Sequence, residues 1–144
     1  MKKKILILVF IIYILVLFKI TVFRSSFGLF HLFAHGKIYV VPAVNLIDAY
    51  KNCTIHTFIY LLVGNIVWFI PFGFLLPAIT KLSNAKIIIF AACASFIIEF
   101  MQYAFGTGIS EIDDFILNIL GAVIGLIIFR LIYKAYKKYK LKNQ

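Results

Sequence analysis

The chain has 144 residues, of which 64% are hydrophobic and only 14% charged, with a mean hydropathy of +1.05 and a net charge of +10. Soluble domains sit near half apolar with about a quarter charged, and so short a domain buries the smaller fraction of its surface. A water-soluble enzyme, a disordered tail and a nucleic-acid module are therefore poor fits, and the composition predicts an integral membrane protein whose first partner is the lipid bilayer.

The charges support that reading by where they lie. Lys2, Lys3 and Lys4 open the chain, Arg130, Lys134, Lys137, Lys138, Lys140 and Lys142 close it, and the sequence between is mostly apolar. Basic residues flanking apolar spans are what membrane insertion selects. A nucleic-acid partner is not expected, because no groove-reading or base-stacking motif accompanies the charge. Cys53 and Cys93 lack ligand-like spacing, and Cys93 lies inside an apolar run, so neither a metal site nor a structural disulfide is expected of them.

A hydrocarbon layer about 30 Å thick needs roughly 20 helical residues to cross it. Four stretches are long enough: about 5–23, 55–79, 87–105 and 112–133. The fold expected is all-α, a single four-helix membrane domain over 1–144. The first stretch resembles a signal peptide in its basic start, but no small-x-small cleavage site follows, so a retained span is expected. Placing both termini in the cytoplasm puts eleven of the fifteen Lys and Arg residues inside and leaves Lys19, Arg24, Lys37 and Lys51 outside. A multi-pass protein of the cell membrane with cytoplasmic termini is the expectation.

The first external connection, 24–54, is long and apolar, with Phe27, Leu29, Phe30, Leu32 and Phe33 clustered. Such a segment lies in the interface or folds back on the bundle. Pro42 suits the first turn of a short helix over 45–50. His31 and His35 stand four apart, but without an HExxH-type glutamate they read as interfacial packing and not as a metal site. The second connection is a short cytoplasmic turn, and the third is a tight turn allowed by Gly106 and Gly108.

Polar residues inside hydrocarbon are costly and mark functional sites by default. Ser95, Glu99 and Gln102 share one face of the third span, and Asp114, Asn118, Gly121 and Gly125 share one face of the fourth. The second span carries Asn65, Gly64, Gly73 and the helix breakers Pro71 and Pro77. At ~1.5 Å per residue, Glu99 lies ~12 Å below the outer boundary, Asn118 ~9 Å, Asn65 ~15 Å and Asp114 ~3 Å. Three helices thus deliver polar groups to one layer. The plainer alternative is interhelical glue: amides bonded to one another, Gly121 and Gly125 allowing close packing, and Pro71 merely freeing the Val67 carbonyl. Glue needs only amides, however, whereas Glu99 beside Asp113 and Asp114 is a costlier set. Asp113 and Asp114 alone would be ordinary acids at a helix N-terminus.

Three ordered segments carry a family resemblance: Asn65-Ile-Val-Trp-Phe-Ile-Pro71-Phe-Gly73-Phe-Leu-Leu-Pro77, then Ser95-Phe-Ile-Ile-Glu99-Phe-Met-Gln102, then Glu111-Ile-Asp113-Asp114-Phe-Ile-Leu-Asn118-Ile-Leu-Gly121-Ala-Val-Ile-Gly125. With the preceding Val44-Asn45-Leu-Ile, the set covers about 41–126 and resembles the VanZ family. The chain departs from that pattern where Asp48-Ala49 replaces Pro-Phe, and where Thr107 and Gly108 stand in a turn that carries arginine in many relatives. A ligand anion held by that arginine would lose its partner here. The resemblance implies a small polytopic bacterial membrane protein, and its founding member is associated with resistance to the glycopeptide teicoplanin.

Three functions compete. The first is a non-enzymatic envelope protein, with no cofactor, acting at the outer leaflet on a lipid-linked component or on a lipophilic glycopeptide. The second is an intramembrane enzyme for lipid-linked substrates, with Glu99 as general base and Asp113 and Asp114 holding a divalent cation. The third is proton-coupled transport by Glu99, for which Gly121 and Gly125 would supply a homo-oligomer face.

Overall fold

The structure, a computed structural model, describes residues 2–23, 32–33, 36–43, 47 and 50–143. Its elements are α1 (Lys2–Thr21), β1 (Lys37–Tyr39), α2 (Ile55–Ile79), α3 (Asn84–Phe105), β2 (Ile109–Glu111) and α4 (Ile112–Lys142). All four helices are long and apolar enough to cross a membrane. Large apolar side chains such as Leu8, Leu15, Phe96 and Leu131 stand more than half exposed, as lipid-facing residues do. The all-α membrane bundle is thus the architecture observed. The helix α4 runs past the predicted end at 133 to Lys142. At ~1.5 Å per residue its length is about 46 Å, well beyond a ~30 Å core, so its Lys- and Tyr-rich last turns project from the apolar layer.

Helix ends follow local chemistry. Thr54 and Ser83 cap α2 and α3 by accepting the Thr57 and Lys86 amides at 3.3 and 3.4 Å. Gly106 ends α3 in the left-handed conformation, φ 61°, which a residue without Cβ adopts freely.

The closest helix pair is α2 with α4. A Cβ added at Gly73 would meet the Ala122 carbonyl oxygen at 1.8 Å, one at Gly121 the Ile66 oxygen at 2.1 Å, and one at Gly125 the Ile70 oxygen at 2.0 Å. Backbone lies against backbone along this seam, which small residues make possible in lipid. Gly121 and Gly125 are consequently occupied within the chain, which corrects the expectation that they serve a homo-oligomer face. Leu17, Phe69, Phe72, Ile87, Ala91, Ile98, Ala122 and Leu126 form the buried core.

Pro71 sits inside α2 without ending it. The carbonyl that gains an outside partner is Trp68, one residue beyond the expected Val67: the Tyr13 hydroxyl of α1 donates to it at 2.7 Å. A proline ring crowds this turn and opens it to a donor from the neighbouring helix.

The described residues around Phe33 and 37–39, between α1 and α2, fold back on the bundle. The Phe33 amide donates to the Ala104 carbonyl at 2.8 Å, and the Phe33 ring lies 5.8 Å from Tyr103. β1 pairs in parallel with β2, with Ile38 opposite Ser110 and Tyr39 opposite Glu111. The third connection is therefore half of a ladder, a pairing that no local pattern announces over three residues. His31 and His35, Val44–Leu46, Asp48 and most of the expected 45–50 helix lie outside the described residues.

Candidate functional site

The four helices leave a cavity of about 320 Å³ at the end of the bundle that carries the β1–β2 ladder. Each helix contributes to it: Leu17 and Thr21 from α1, Asn65 and Trp68 from α2, Glu99 and Gln102 from α3, and Asp114 and Asn118 from α4. Of the polar residues singled out in the sequence, Asn65, Glu99, Gln102, Asp114 and Asn118 thus face one space. Asp113 does not: both its oxygens accept the Ala43 amide, each at 2.9 Å, so its carboxylate anchors the returning segment. The paired-aspartate cation site of the enzyme reading is not assembled, and among the described residues no group of three His, Cys, Asp or Glu could hold a metal.

Around the cavity, hydrogen bonds fix the polar side chains. The Asn65 amide donates to Asp114, linking α2 to α4. The Asn118 amide donates to the Ser95 hydroxyl at 3.0 Å, linking α4 to α3. Glu99 accepts the backbone amide of Glu111 at 3.0 Å through Oε2. Gln102 donates to the Thr21 carbonyl at 3.4 Å, while its own Oε1 is buried with no partner among the described residues. Three of these bonds join helices, but Asn65, Glu99 and Asn118 do not bond to one another as the glue alternative had them: their partners are Asp114, the Glu111 amide and Ser95. Beside these bonds the cavity stays open, and the Gln102 Oε1 acceptor is unanswered among the described residues.

Glu99 lines a second space as well. On its other side is a groove of about 410 Å³ lined by Ile38, Val40, Phe96, Phe100, Tyr103 and Phe115, almost entirely apolar. The polar cavity and the apolar groove meet at this one carboxyl. Among the described residues no Lys, Arg or His lines either space.

Comparison with known proteins gives one match: the VanZ/LLP1 family model fits residues 10–133. The chain belongs to the VanZ/LLP1 family. No curated protein and no solved structure matches it.

The match extends the sequence resemblance outward from 41–126 to include most of α1. That agrees with a site in which α1 takes part. Thr21 and Leu17 were not singled out as site residues, although a hydroxyl near the end of an apolar span was a usable signal for Thr21. Ser110 and the Glu111 amide could not be found in this way, because they reach Glu99 only through the fold of the turn. Thr107, in the turn before the acidic cluster, is buried with no partner for its hydroxyl among the described residues.

Proposed function

We propose that this VanZ-like membrane protein binds an amphiphile at the outer leaflet of the cell membrane, taking its polar head into the cavity and its chain into the groove. The observation that carries this reading is the double position of Glu99, at the meeting of a polar and an apolar space. Both volumes fall within the ~300–1,000 Å³ of small-molecule sites. The charge distribution supports an outward site: with the β1–β2 end outside, eleven of the fifteen Lys and Arg residues fall on the cytoplasmic side.

The lining narrows the head group. Glu99 and Asp114 offer carboxyl acceptors, Asn65, Gln102 and Asn118 offer amides, and no cation among the described residues lines the cavity to neutralise a phosphate. A head rich in amine, amide or hydroxyl donors fits, and a bare phosphate does not. Lipid-linked envelope components and lipophilic glycopeptides both present such groups beside an apolar chain. Holding either one at the outer leaflet would lower susceptibility to an antibiotic such as teicoplanin without any reaction on the drug.

The test is survival. A susceptible bacterial host expressing the parent chain is expected to tolerate more teicoplanin than the empty-vector strain. Glu99→Gln at matched membrane abundance is expected to remove the difference. Full protection by Glu99→Gln would contradict the proposal.

A further inference from the structure

We propose a second lipid site at the opposite end of the bundle, one that takes the phosphate head group of an anionic glycerophospholipid. There a cleft of about 520 Å³ opens between Leu6 of α1, Pro77 and Ala78 at the end of α2, Thr80, Lys81 and Leu82 of the turn before α3, and Phe129, Arg130 and Tyr133 of α4. Arg130 lies sixteen residues beyond Asp114, ~24 Å along the helix, so this cleft and the polar cavity occupy opposite faces of the membrane layer.

Its chemistry is the reverse of the cavity's. Lys81 and Arg130 both line it, and no carboxylate among the described residues does. Arg130 is held in place without being neutralised: Nε and Nη2 both donate to the Asn84 amide oxygen, at 3.0 and 2.6 Å. A neutral partner fixes the guanidinium plane and leaves the charge for an anion. Leu6, Leu82 and Phe129 give the cleft apolar walls continuous with the lipid-facing surface, where acyl chains would lie. Tyr133 supplies an aromatic ring at head-group level. Charge excess explains why basic residues collect at this end, but not why two of them should flank one cleft free of acids. Basic clefts between membrane helices at an interface are sites for anionic head groups.

The full chain, purified in a mild neutral detergent, is titrated with short-chain phosphatidylglycerol, short-chain phosphatidylcholine and inorganic phosphate, and bound lipid is counted by native mass spectrometry. Phosphatidylglycerol is expected to be retained in preference to phosphatidylcholine, with inorganic phosphate failing to displace it. Lys81→Gln and Arg130→Gln are each expected to weaken retention about fivefold, the weight of one interfacial cation. Lys138→Gln, an exposed lysine outside the cleft, is expected to leave retention unchanged. Lys81 makes no fold-supporting side-chain bond among the described residues, so its variant reads binding even if Arg130→Gln misfolds. Equal retention of the two lipids, displacement by inorganic phosphate, or an equal loss in Lys138→Gln would each overturn the site. None of these results touches the cavity around Glu99.

Discussion

The Asn65 side chain of α2 donates to the Asp114 carboxylate of α4, joining residues 49 positions apart across the tightest helix seam in the protein. The bond depends on the glycines further along the seam, because only their missing Cβ atoms let the two backbones come close enough for so short a pair to meet. Packing and site are therefore one construction: the seam that holds the bundle together also sets one wall of the cavity.

Gly73→Ala tests the seam. The new Cβ would lie 1.8 Å from a backbone oxygen, and backbone cannot move aside as a side-chain tip can. A loss of about 1–3 kcal/mol or more is expected, read as a lowered melting temperature in detergent. Gly64→Ala is the control, since nothing lies within 4 Å of its added Cβ. It should hold or gain stability, by up to about 1 kcal/mol from helix propensity. Similar melting of the two variants would mean the seam is looser than described.

Tyr13→Phe removes the hydroxyl that answers the Trp68 carbonyl beside Pro71. The expected cost is about 0.6–2 kcal/mol, the range for one interhelical bond in lipid. Pro71→Ala should restore an amide donor to α2 and straighten that turn, lowering activity more than expression. An unchanged melting temperature in Tyr13→Phe would show that the bond contributes nothing.

Asp113→Ala should release the returning segment, because the Ala43 amide loses both its acceptors. Trypsin cleavage after Lys37, which lies in β1 and depends on that anchoring, is the readout. Faster cleavage in Asp113→Ala, with Asp113→Asn intermediate, is expected. Identical cleavage rates would place the anchor elsewhere.

Much of this was legible in the sequence because lipid imposes simple rules. Four apolar runs of the right length gave four helices, and 3.6-residue periodicity put Glu99 and Gln102, and Asp114 and Asn118, on shared faces. What periodicity cannot give is the partner across a gap. It grouped Asp113 with Asp114, yet consecutive residues on a helix point about 100° apart, and only one of them reaches the cavity. It read Gly121 and Gly125 as a packing motif without saying which helix they pack on. The β1–β2 pairing was hidden for a related reason: three residues carry too little pattern, and the strand they pair with is brought there by the turn after α3.

Orientation is open to a direct check. A reporter active only in the cytoplasm should work when fused after Gln144 and fail when inserted near Gly36. The opposite pair of results would turn the cavity toward the cytoplasm and remove the outer-leaflet reading.

The central claim is that the Glu99 cavity is a ligand site and not only interhelical glue. The most direct measurement is native mass spectrometry of the protein extracted from bacterial membranes, comparing the parent with Glu99→Gln and Asp114→Asn. A carboxylate holds a hydrogen-bond donor more strongly than an amide by about 1 kcal/mol, roughly fivefold in affinity. The parent should retain an amphiphile with a donor-rich head, and both variants should fold and melt as the parent does while losing most of that adduct. Parental adducts on both variants, at parental stability, would contradict the account.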